Sequence, residues 1–525
     1  MDSPTGLRPR LLLHGETTWE EAKEKETNIL HELSYNAQRV KFFKHLSQHI
    51  HVIKDLTAHH LGLSSTEEIH VADQEDWVHG SFNACILIHI GGHNVGGRKR
   101  RPLKQSVIRF PLPYRIGEDP RPGNSDEKVL CEAGTYAWIE QNCATVLIPR
   151  LYGLGLSNGE TVTLLDNLPT LIRAEERLRR SVLPMSGYPV PSQYFPHPRK
   201  AEPCSLRIPY LLIEYIDLSR GKMLSETWKE GRHDPELRSN FFHSSSRVIL
   251  ALARTPLPKI GSFTLDGDGY LSLSNRPLTM QIQQLENEHI PVDIPRNLTH
   301  ASVDAYIRDI LAFHESRLRH QPNAIIDIPD GAYQTSALAV MRSVCSCLFR
   351  REFSRGPCFL NLTDLSHSNM FVDGNGNIAW LVDLEWACSH PIVMIQPPFW
   401  LTDQVIDDIK PEEYESIHAE LMKAFAEQES KCKSDYPVSF HSVLQLQQGW
   451  ERGTFWCALA LRSPSAMFSI FYDHIKLKFA KSHHDKPTFW EFAMPYWTFH
   501  TYSFIEKRVK DKEQYVVSLR GAFQA

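Results

Sequence analysis

The chain has 525 residues, of which 42% are hydrophobic and 23% are charged, values typical of globular domains and not of disordered, collagen-like or coiled-coil proteins. Its 57 Lys and Arg residues nearly balance its 62 Asp and Glu residues, so no general positive field favours nucleic acid as a partner. At roughly one domain per 150 residues, this length predicts two to four packed units.

The ten cysteines form neither a CxxC pair nor the Cys/His spacing of a zinc site, so we interpret them as reduced thiols. The first twenty residues lack the apolar core of a signal peptide. The most apolar late stretch, 455–472, is interrupted by Arg462 and Pro464 and is too short to cross a membrane. We therefore expect a cytoplasmic protein with no membrane partner.

Hydrophobic spacing along the first 141 residues changes from helical to strand-like. Residues 1–65 carry helical spacing and predict an N-terminal helical extension. Short alternating apolar runs at 77–78, 84–90 and 106–113 predict an antiparallel meander. A helix over 125–141 is expected to follow, because Ser-Asp-Glu supplies an acidic first turn.

Short strands continue beyond this helix, at 151–155, 161–165 and 209–216. The stretch 177–204 is rich in Pro, Arg and Ser and is interpreted as an inserted loop. The region 66–216 is thus expected to be a small, antiparallel, β-rich N-lobe.

The remainder of the chain, 217–525, is mostly helical in pattern. Predicted helices cover 303–319, 336–353 and 413–427. The expected fold class is therefore α+β, with a small β-rich N-lobe followed by a large, mainly helical C-lobe.

A hairpin signal lies in the middle of this second half. The apolar runs Met370–Val372 and Ile378–Val382 are joined by Asp-Gly-Asn-Gly-Asn, and Asn-Gly in such a position is a strong hairpin signal. A turn centred on this Asn-Gly would place Asn369 across the hairpin from Val382 and beside Asp383.

Three polar residues around this hairpin suit phosphoryl transfer. An amide oxygen from Asn369 and a carboxylate from Asp383 are the hard oxygen ligands that Mg²⁺ prefers, and Asp364 precedes Asn369 by five residues. A kinase needs one Asp to accept the acceptor's proton, and an Asn with a second Asp to hold the metal on the nucleotide phosphates. The alternative is an ordinary polar hairpin.

The segments Thr363–Asn369 and Asp383–Trp386 resemble the aminoglycoside phosphotransferase family, and most of all its largely uncharacterised fungal branch. The resemblance implies a protein-kinase-like bilobal fold, ATP and Mg²⁺ as cofactors, and a small molecule with a hydroxyl group as acceptor. It makes Asp364 the catalytic residue, and Asn369 and Asp383 the metal ligands.

The resemblance also assigns a loop over the nucleotide phosphates, between two strands of the small lobe. Its residues are Gly80, Ser81, Phe82 and Asn83. A plain turn is the alternative, since one glycine is a weak signal.

Further nucleotide contacts follow from the same resemblance. Arg109 on the third strand would touch the phosphates and pair with Glu132 of the next helix, whereas a surface ion pair is the alternative. Arg replaces the Lys usual in kinases and can form a forked phosphate contact. Glu214 and Ile216 would belong to the hinge whose backbone meets adenine.

Departures from the family pattern leave a nucleotide-binding pseudokinase or scaffold as the alternative function. Leu362 and Thr363 stand where the family often has His-Gly, and Ser366 stands where a second His is common. A protein kinase is less well supported, because Leu384 and Glu385 follow Asp383 where protein kinases have Phe-Gly. The sequence specifies neither the acceptor nor any protein partner.

Overall fold

The computed structural model describes residues 7–91, 104–198, 206–431, 448–480 and 486–524. Its strands are Arg10–Leu11, Glu16–Thr17, Ile69–Val71, Val78–His79, Asn83–Ile90, Lys104–Pro111, Leu151–Gly155, Thr161–Leu164, Tyr194–Pro196, Tyr210–Glu214, Lys222–Met223, Ser262–Leu265, Leu271–Asn275, Cys358–Leu362, Met370–Val372, Ile378–Leu381 and Ala387–Pro391.

The largest sheet, which we call the main sheet, is antiparallel throughout. Its strand order is Ile69–Val71, Asn83–Ile90, Lys104–Pro111, Tyr210–Glu214, Leu151–Gly155, Thr161–Leu164 and Tyr194–Pro196, with Val78–His79 also paired to Asn83–Ile90. Along the second strand Ala84, Ile86, Ile88 and Ile90 are buried in alternation, because successive side chains point to opposite faces. The main sheet is the small lobe that the sequence predicts.

Helices dominate the rest of the chain. They are Trp19–Glu24, Ile29–Glu32, Tyr35–Gln48, Ile50–Leu61, Pro113–Ile116, Asn124–Asn142, Thr170–Val182, Leu224–Gly231, Pro235–Leu252, Met280–Asn287, Val303–His320, Ile328–Leu348, Pro411–Lys431, Thr454–Arg462, Met467–Ile470, Lys476–Phe479, Lys486–Ala493 and Thr501–Gln524. The fold is α+β, with a β-rich small lobe and a mainly helical large lobe. In the described ranges, no helix is long and apolar enough to cross a membrane.

The two lobes share one core. A single cluster of buried hydrophobic side chains runs from Leu13 to Ile505 through both lobes. A smaller cluster packs Leu7, Ala22 and Ile29 of the N-terminal region against the C-terminal helix Thr501–Gln524. The N-terminal helical region is therefore part of the packed molecule.

The helix Asn124–Asn142 lies at the centre of the molecule and is buried on almost all sides. It crosses the strand Ser262–Leu265 so closely that a Cβ on Gly134 would lie 2.5 Å from the carbonyl oxygen of Phe263. Glycine is required there because any larger side chain would push the strand away. The predicted helix, 125–141, agrees with these bounds.

One predicted helix begins in the wrong place. The sequence predicts a helix over 336–353, but the helix spans Ile328–Leu348. Asp327 caps it by accepting from the backbone N–H of Asp330 at 2.8 Å, and Pro329 occupies the first turn, where its missing N–H costs nothing. These start signals outweigh Gly331, which interrupts the apolar spacing.

The inserted loop expected over 177–204 is also corrected. Residues 177–182 belong to the helix Thr170–Val182, and Tyr194–Pro196 is the edge strand of the main sheet; residues 199–204 lie outside the described part. This helix buries charged side chains and exposes an apolar one: Glu176 and Arg180 are buried, whereas Leu178 is 68% exposed. The Arg180 Nε atom lies 3.6 Å from Glu176, too far for a hydrogen bond, and another nitrogen of the Arg180 guanidinium donates to the carbonyl oxygens of Pro191 and Ser192.

The eight cysteines that the structure describes are all free thiols, and seven of them are buried or half-buried. The nearest pair, Cys345 and Cys457, has its sulfur atoms 3.4 Å apart within the core. Within these ranges, this agrees with the interpretation of reduced cysteines.

Candidate active site

The hairpin forms in the predicted register. Met370 pairs with Leu381 and Phe371 with Trp380, and the backbone N–H of Val382 donates to the carbonyl oxygen of Asn369 at 3.0 Å. The turn closes on Gly376, which has a φ of 83°, a value that glycine adopts without strain. Asn369 and Val382 therefore stand opposite each other, as the Asn-Gly signal predicts.

Asp383 follows the hairpin with a left-handed backbone, at a φ of 60°. This conformation costs a non-glycine residue of order 1 kcal/mol, and such strain is typical of functional sites. Its side chain is 33% exposed, so one carboxylate edge remains open. Asp383 thus keeps an unfavourable backbone conformation in which part of its carboxylate stays exposed to a ligand.

Asp364 lies on a tight loop at the end of the strand Cys358–Leu362. The N–H of Leu365 donates to the Leu362 carbonyl oxygen at 3.2 Å, which turns the chain directly after the strand. The Thr363 hydroxyl donates to the carbonyl oxygen of Trp386 at 2.5 Å, and the Trp400 indole N–H donates to the Leu365 carbonyl oxygen at 3.1 Å. These bonds position the loop although the family's usual histidines are missing.

Asp364 and Asn369 touch each other. The Asn369 amide nitrogen donates to the Asp364 carbonyl oxygen at 2.8 Å and lies 3.4 Å from its carboxylate. The amide nitrogen is therefore used within the loop, and the amide oxygen is the atom left for a ligand. Asp364, Asn369 and Asp383 line one small cavity, as the sequence predicts.

The charge state of Asp364 is unusual. Burial, followed by repulsion from Asp383 and Glu385, raises its pKa to about 7. The charge of Arg462 and the hydrogen bond from the Asn369 amide lower this pKa, but by less. A carboxylate with this pKa can take a proton and release it again near neutral pH.

Arg109 lies among three carboxylates in the core of the site. It donates to Glu132 at 2.6 Å, to Asp383 at 2.5 Å and to Glu385 at 3.3 Å. Burial alone would lower its pKa, but attraction to Asp383, Glu132 and Glu385 outweighs burial and raises the pKa. The Arg109–Glu132 pair is thus buried, which rules out the surface ion pair.

Sequence reasoning missed the second buried cation, Lys128. Its side chain is only 1% exposed and contacts the Glu385 carboxylate, which is 2% exposed. Its amine donates to the Asn83 amide oxygen at 2.9 Å, and the Asn83 amide nitrogen donates to Glu385 at 2.6 Å. The only sequence signal is that Lys128 precedes Glu132 by one helical turn, which puts both on the same helix face.

The loop Gly80–Asn83 is not wholly available to a nucleotide. The Asn83 side chain is used by Lys128 and Glu385, and Phe82 is 6% exposed with its ring 5.2 Å from that of Trp386. The expectation that all four residues cover the phosphates is therefore corrected for these two side chains. Gly80 and Ser81 form the exposed part of a turn that the Gly80 N–H closes on the Asn83 carbonyl at 3.0 Å.

Glu214 and Ile216 lie where the chain leaves the main sheet. Glu214 ends the strand beside Lys104–Pro111 and binds Arg220 at 2.9 Å, while Ile216 is buried. The chain then enters Lys222–Met223, which pairs with the hairpin strand Met370–Val372. The segment therefore connects the small lobe to the hairpin, and its contact with adenine stays a prediction.

The donor set fits a magnesium ion bound together with phosphates. In the described part of the chain, no three His, Cys, Asp or Glu side chains converge as a complete metal cage. One amide oxygen and one carboxylate are nevertheless what Mg²⁺ takes from a protein when phosphates and waters supply its other ligands. The buried Arg109 and Lys128 contact the carboxylates of Glu132, Asp383 and Glu385, and burial raises the pKa of Glu132 to about 7.

No protein-family model and no curated protein matches this chain. Among solved structures, the chain is similar to an ethanolamine kinase from Plasmodium vivax, with 12% sequence identity over 93% of this chain and 96% of that chain, at a TM-score of 0.36. A sequence identity of 12% and a TM-score of 0.36 say nothing about activity or substrate, which have to be inferred from the residues of this chain.

Proposed function

We propose that this protein is an ATP- and Mg²⁺-dependent phosphotransferase that phosphorylates a hydroxyl group of a small molecule, as the resemblance to aminoglycoside phosphotransferases implies. The observation that carries the proposal is that Asp364, Asn369 and Asp383 line one cavity while Arg109 bridges Asp383 to the helix residue Glu132. In this proposal Asp364 is the proton acceptor, Asn369 and Asp383 are the metal ligands, and Arg109 is the cation that binds the phosphates.

Each residue has a defined role in this reaction. Asp364 accepts the proton of the acceptor hydroxyl as its oxygen bonds to the γ-phosphorus and the bond to the nucleotide's bridging oxygen breaks, so ADP leaves with that electron pair. Asn369 and Asp383 would hold Mg²⁺, which would neutralise charge on the phosphates. Arg109 would orient the phosphates, and the turn at Gly80 and Ser81 would cover them, next to Phe82 and Asn83, which contact Trp386 and Glu385.

A nucleotide-binding pseudokinase is the second candidate, and one contact favours it. The guanidinium of Arg109 binds the Asp383 Oδ1 atom at 2.5 Å, so a metal would compete with a cation for this carboxylate. Turnover of ATP with any small alcohol separates the candidates, because a pseudokinase would bind ATP and release no ADP.

Replacing Asp383 by alanine should abolish the magnesium dependence of ATP binding. In the wild type, removing Mg²⁺ should weaken ATP binding about 10-fold or more, or roughly 1.4 kcal/mol, because the phosphates would then face the carboxylates with no metal to neutralise their charge. In D383A, ATP affinity with and without Mg²⁺ should be equal, as measured by isothermal titration calorimetry. Equal affinities in the wild type would reject both assigned metal ligands.

Asp403 provides a matched control for this experiment. It has a φ of 61°, close to the 60° of Asp383, but it is exposed and lies outside the cavity of Asp364 and Asn369. D403A and D383A therefore each place an alanine, which tolerates a left-handed φ less well than aspartate, at nearly the same φ. If D403A also removed the Mg²⁺ effect, the backbone and not the carboxylate would be responsible.

A further inference from the structure

A larger cavity, which we call the acceptor cavity, adjoins the small one at Asp364. It has a volume of about 330 Å³ and shares Leu362, Thr363, Asp364 and Leu365 with the small cavity, but neither Asn369 nor Asp383 lines it. The Asp364 loop therefore separates the proposed metal side from this second space. Cavities of a few hundred Å³ are of the size that holds a small organic ligand.

The wall of the acceptor cavity is mainly hydrocarbon. Aliphatic and aromatic side chains from several helices and loops form most of it, among them Ile249, Leu252, Ile310, Phe313, Phe425 and Leu461. Among the described residues that line it, Asp364 and Arg462 are the only Asp, Glu, Lys or Arg side chains. Burial of a ligand's apolar surface against such a wall stabilises the complex.

Several polar groups of the wall are already occupied by other protein groups. The ring nitrogens of His390 lie 3.0 Å from the Tyr306 hydroxyl and 3.1 Å from the Asn361 amide nitrogen. Burial, helped by Arg462, lowers the pKa of His390 to about 3, so its ring is neutral. The Arg462 guanidinium donates to the Thr363 carbonyl oxygen.

We propose that the acceptor is a neutral alcohol with a largely hydrocarbon body, which lies in the acceptor cavity with its hydroxyl at Asp364. This assignment rests on the proposed phosphotransferase function. The hydroxyl oxygen forms the new bond to the γ-phosphorus, its proton passes to Asp364, and ADP departs as described above.

Charge argues against a polycationic acceptor such as an aminoglycoside. Each buried ammonium group needs its own anionic partner, because an unpaired charge in an apolar wall is strongly unfavourable. The described wall offers the single carboxylate of Asp364, and Arg462 would repel a cation that approaches the same loop. The acidic residues Asp403, Glu412 and Glu413 do not line the cavity.

The test uses 1-octanol as the neutral probe, with kanamycin as the polycation and ethanolamine as a small cationic alcohol. Binding is measured by calorimetry without nucleotide, and turnover by ADP release with Mg²⁺ and ATP. Ala253, which lines the cavity and is 9% exposed, is replaced by phenylalanine to fill the space. Ala174, exposed on the helix Thr170–Val182, receives the same substitution as a control.

The wild type and A174F should bind 1-octanol equally, and A253F should bind it at least about 10-fold more weakly. The thermal unfolding midpoint reports whether A253F folds, and A458L narrows the cavity from another helix if it does not. Octanol binding that A253F and A458L leave unchanged overturns the assignment, as does phosphorylation of kanamycin or ethanolamine with no octanol binding. Octanol binding that both variants weaken, without ADP release for any alcohol, supports the cavity assignment and overturns the phosphotransferase function.

Discussion

Replacing Asp364 by asparagine is expected to lower turnover by roughly 10²-fold or more, because the variant keeps the side-chain volume but cannot accept the hydroxyl proton. The contacts of the loop should survive, since Asn369 donates mainly to the backbone carbonyl oxygen of residue 364, at 2.8 Å. Affinity for Mg²⁺-ATP should stay within about twofold of the wild type. Steady-state kinetics and calorimetry on the same samples test both statements.

The pH dependence distinguishes a proton acceptor from a positioning residue. With a pKa of about 7, Asp364 should make wild-type kcat/KM rise as the pH increases through 7, whereas the residual activity of D364N should lack this rise. The folded-state pKa also lies above the ordinary value of 3.8, so the unfolded chain binds fewer protons between these values. Asp364 therefore destabilises the fold increasingly as pH rises from about 4 to 7, and D364N should unfold at a higher temperature than the wild type at pH 8. Full activity in D364N would place the catalytic residue elsewhere.

Replacing Lys128 by methionine is expected to lower the free energy of unfolding by about 3 to 5 kcal/mol, the usual cost of leaving a buried charge without its partner. Methionine matches the length of the lysine stem, so the loss is electrostatic and not a cavity effect. Glu385 would keep Arg109 at 3.3 Å and the Asn83 amide at 2.6 Å, but it would lose its closest cation. Urea unfolding monitored by Trp fluorescence measures the change.

Two further variants test the cause of this loss. K128M/E385Q should recover part of the stability, because a glutamine needs no counter-charge. K41M replaces an exposed lysine on the helix Tyr35–Gln48 and should change stability by less than about 0.5 kcal/mol. If K128M cost no more than K41M, the Lys128–Glu385 pair would have no structural role.

The hairpin and the position of Asn369 beside it could be predicted because their signals are local. The turn pairs Val372 with Ile378, and a register shift between Phe371 and Val372 then brings Asn369 opposite Val382, as the 3.0 Å backbone hydrogen bond shows. Likewise the helix Asn124–Asn142 follows from apolar spacing and an acidic first turn. The Arg109–Glu132 contact was expected from the family resemblance, and the two residues bind at 2.6 Å.

The Lys128–Glu385 pair could not be predicted because its partners are 257 residues apart in the chain. In the sequence, a buried lysine cannot be distinguished from an exposed one, because the carboxylate that pairs with it lies far away in the chain. The helix Thr170–Val182 was misread for a related reason, since burial of apolar side chains is the usual rule. There Glu176 and Arg180 are buried, with Arg180 donating to the carbonyl oxygens of Pro191 and Ser192, and Leu178 is left in solvent.

The ion pairs of Arg109 and Lys128 with Asp383 and Glu385 have a consequence for folding during translation. A ribosome releases the whole small lobe before it synthesises these two carboxylates, so until then Lys128 lacks its anionic partner and Arg109 has only Glu132. The small lobe is therefore an incomplete folding unit, and a fragment covering 66–216 should lack a cooperative thermal transition in circular dichroism. We expect chaperones to bind this nascent chain until residue 385 emerges, because collapse of the small lobe before then would bury Lys128 without its anionic partner.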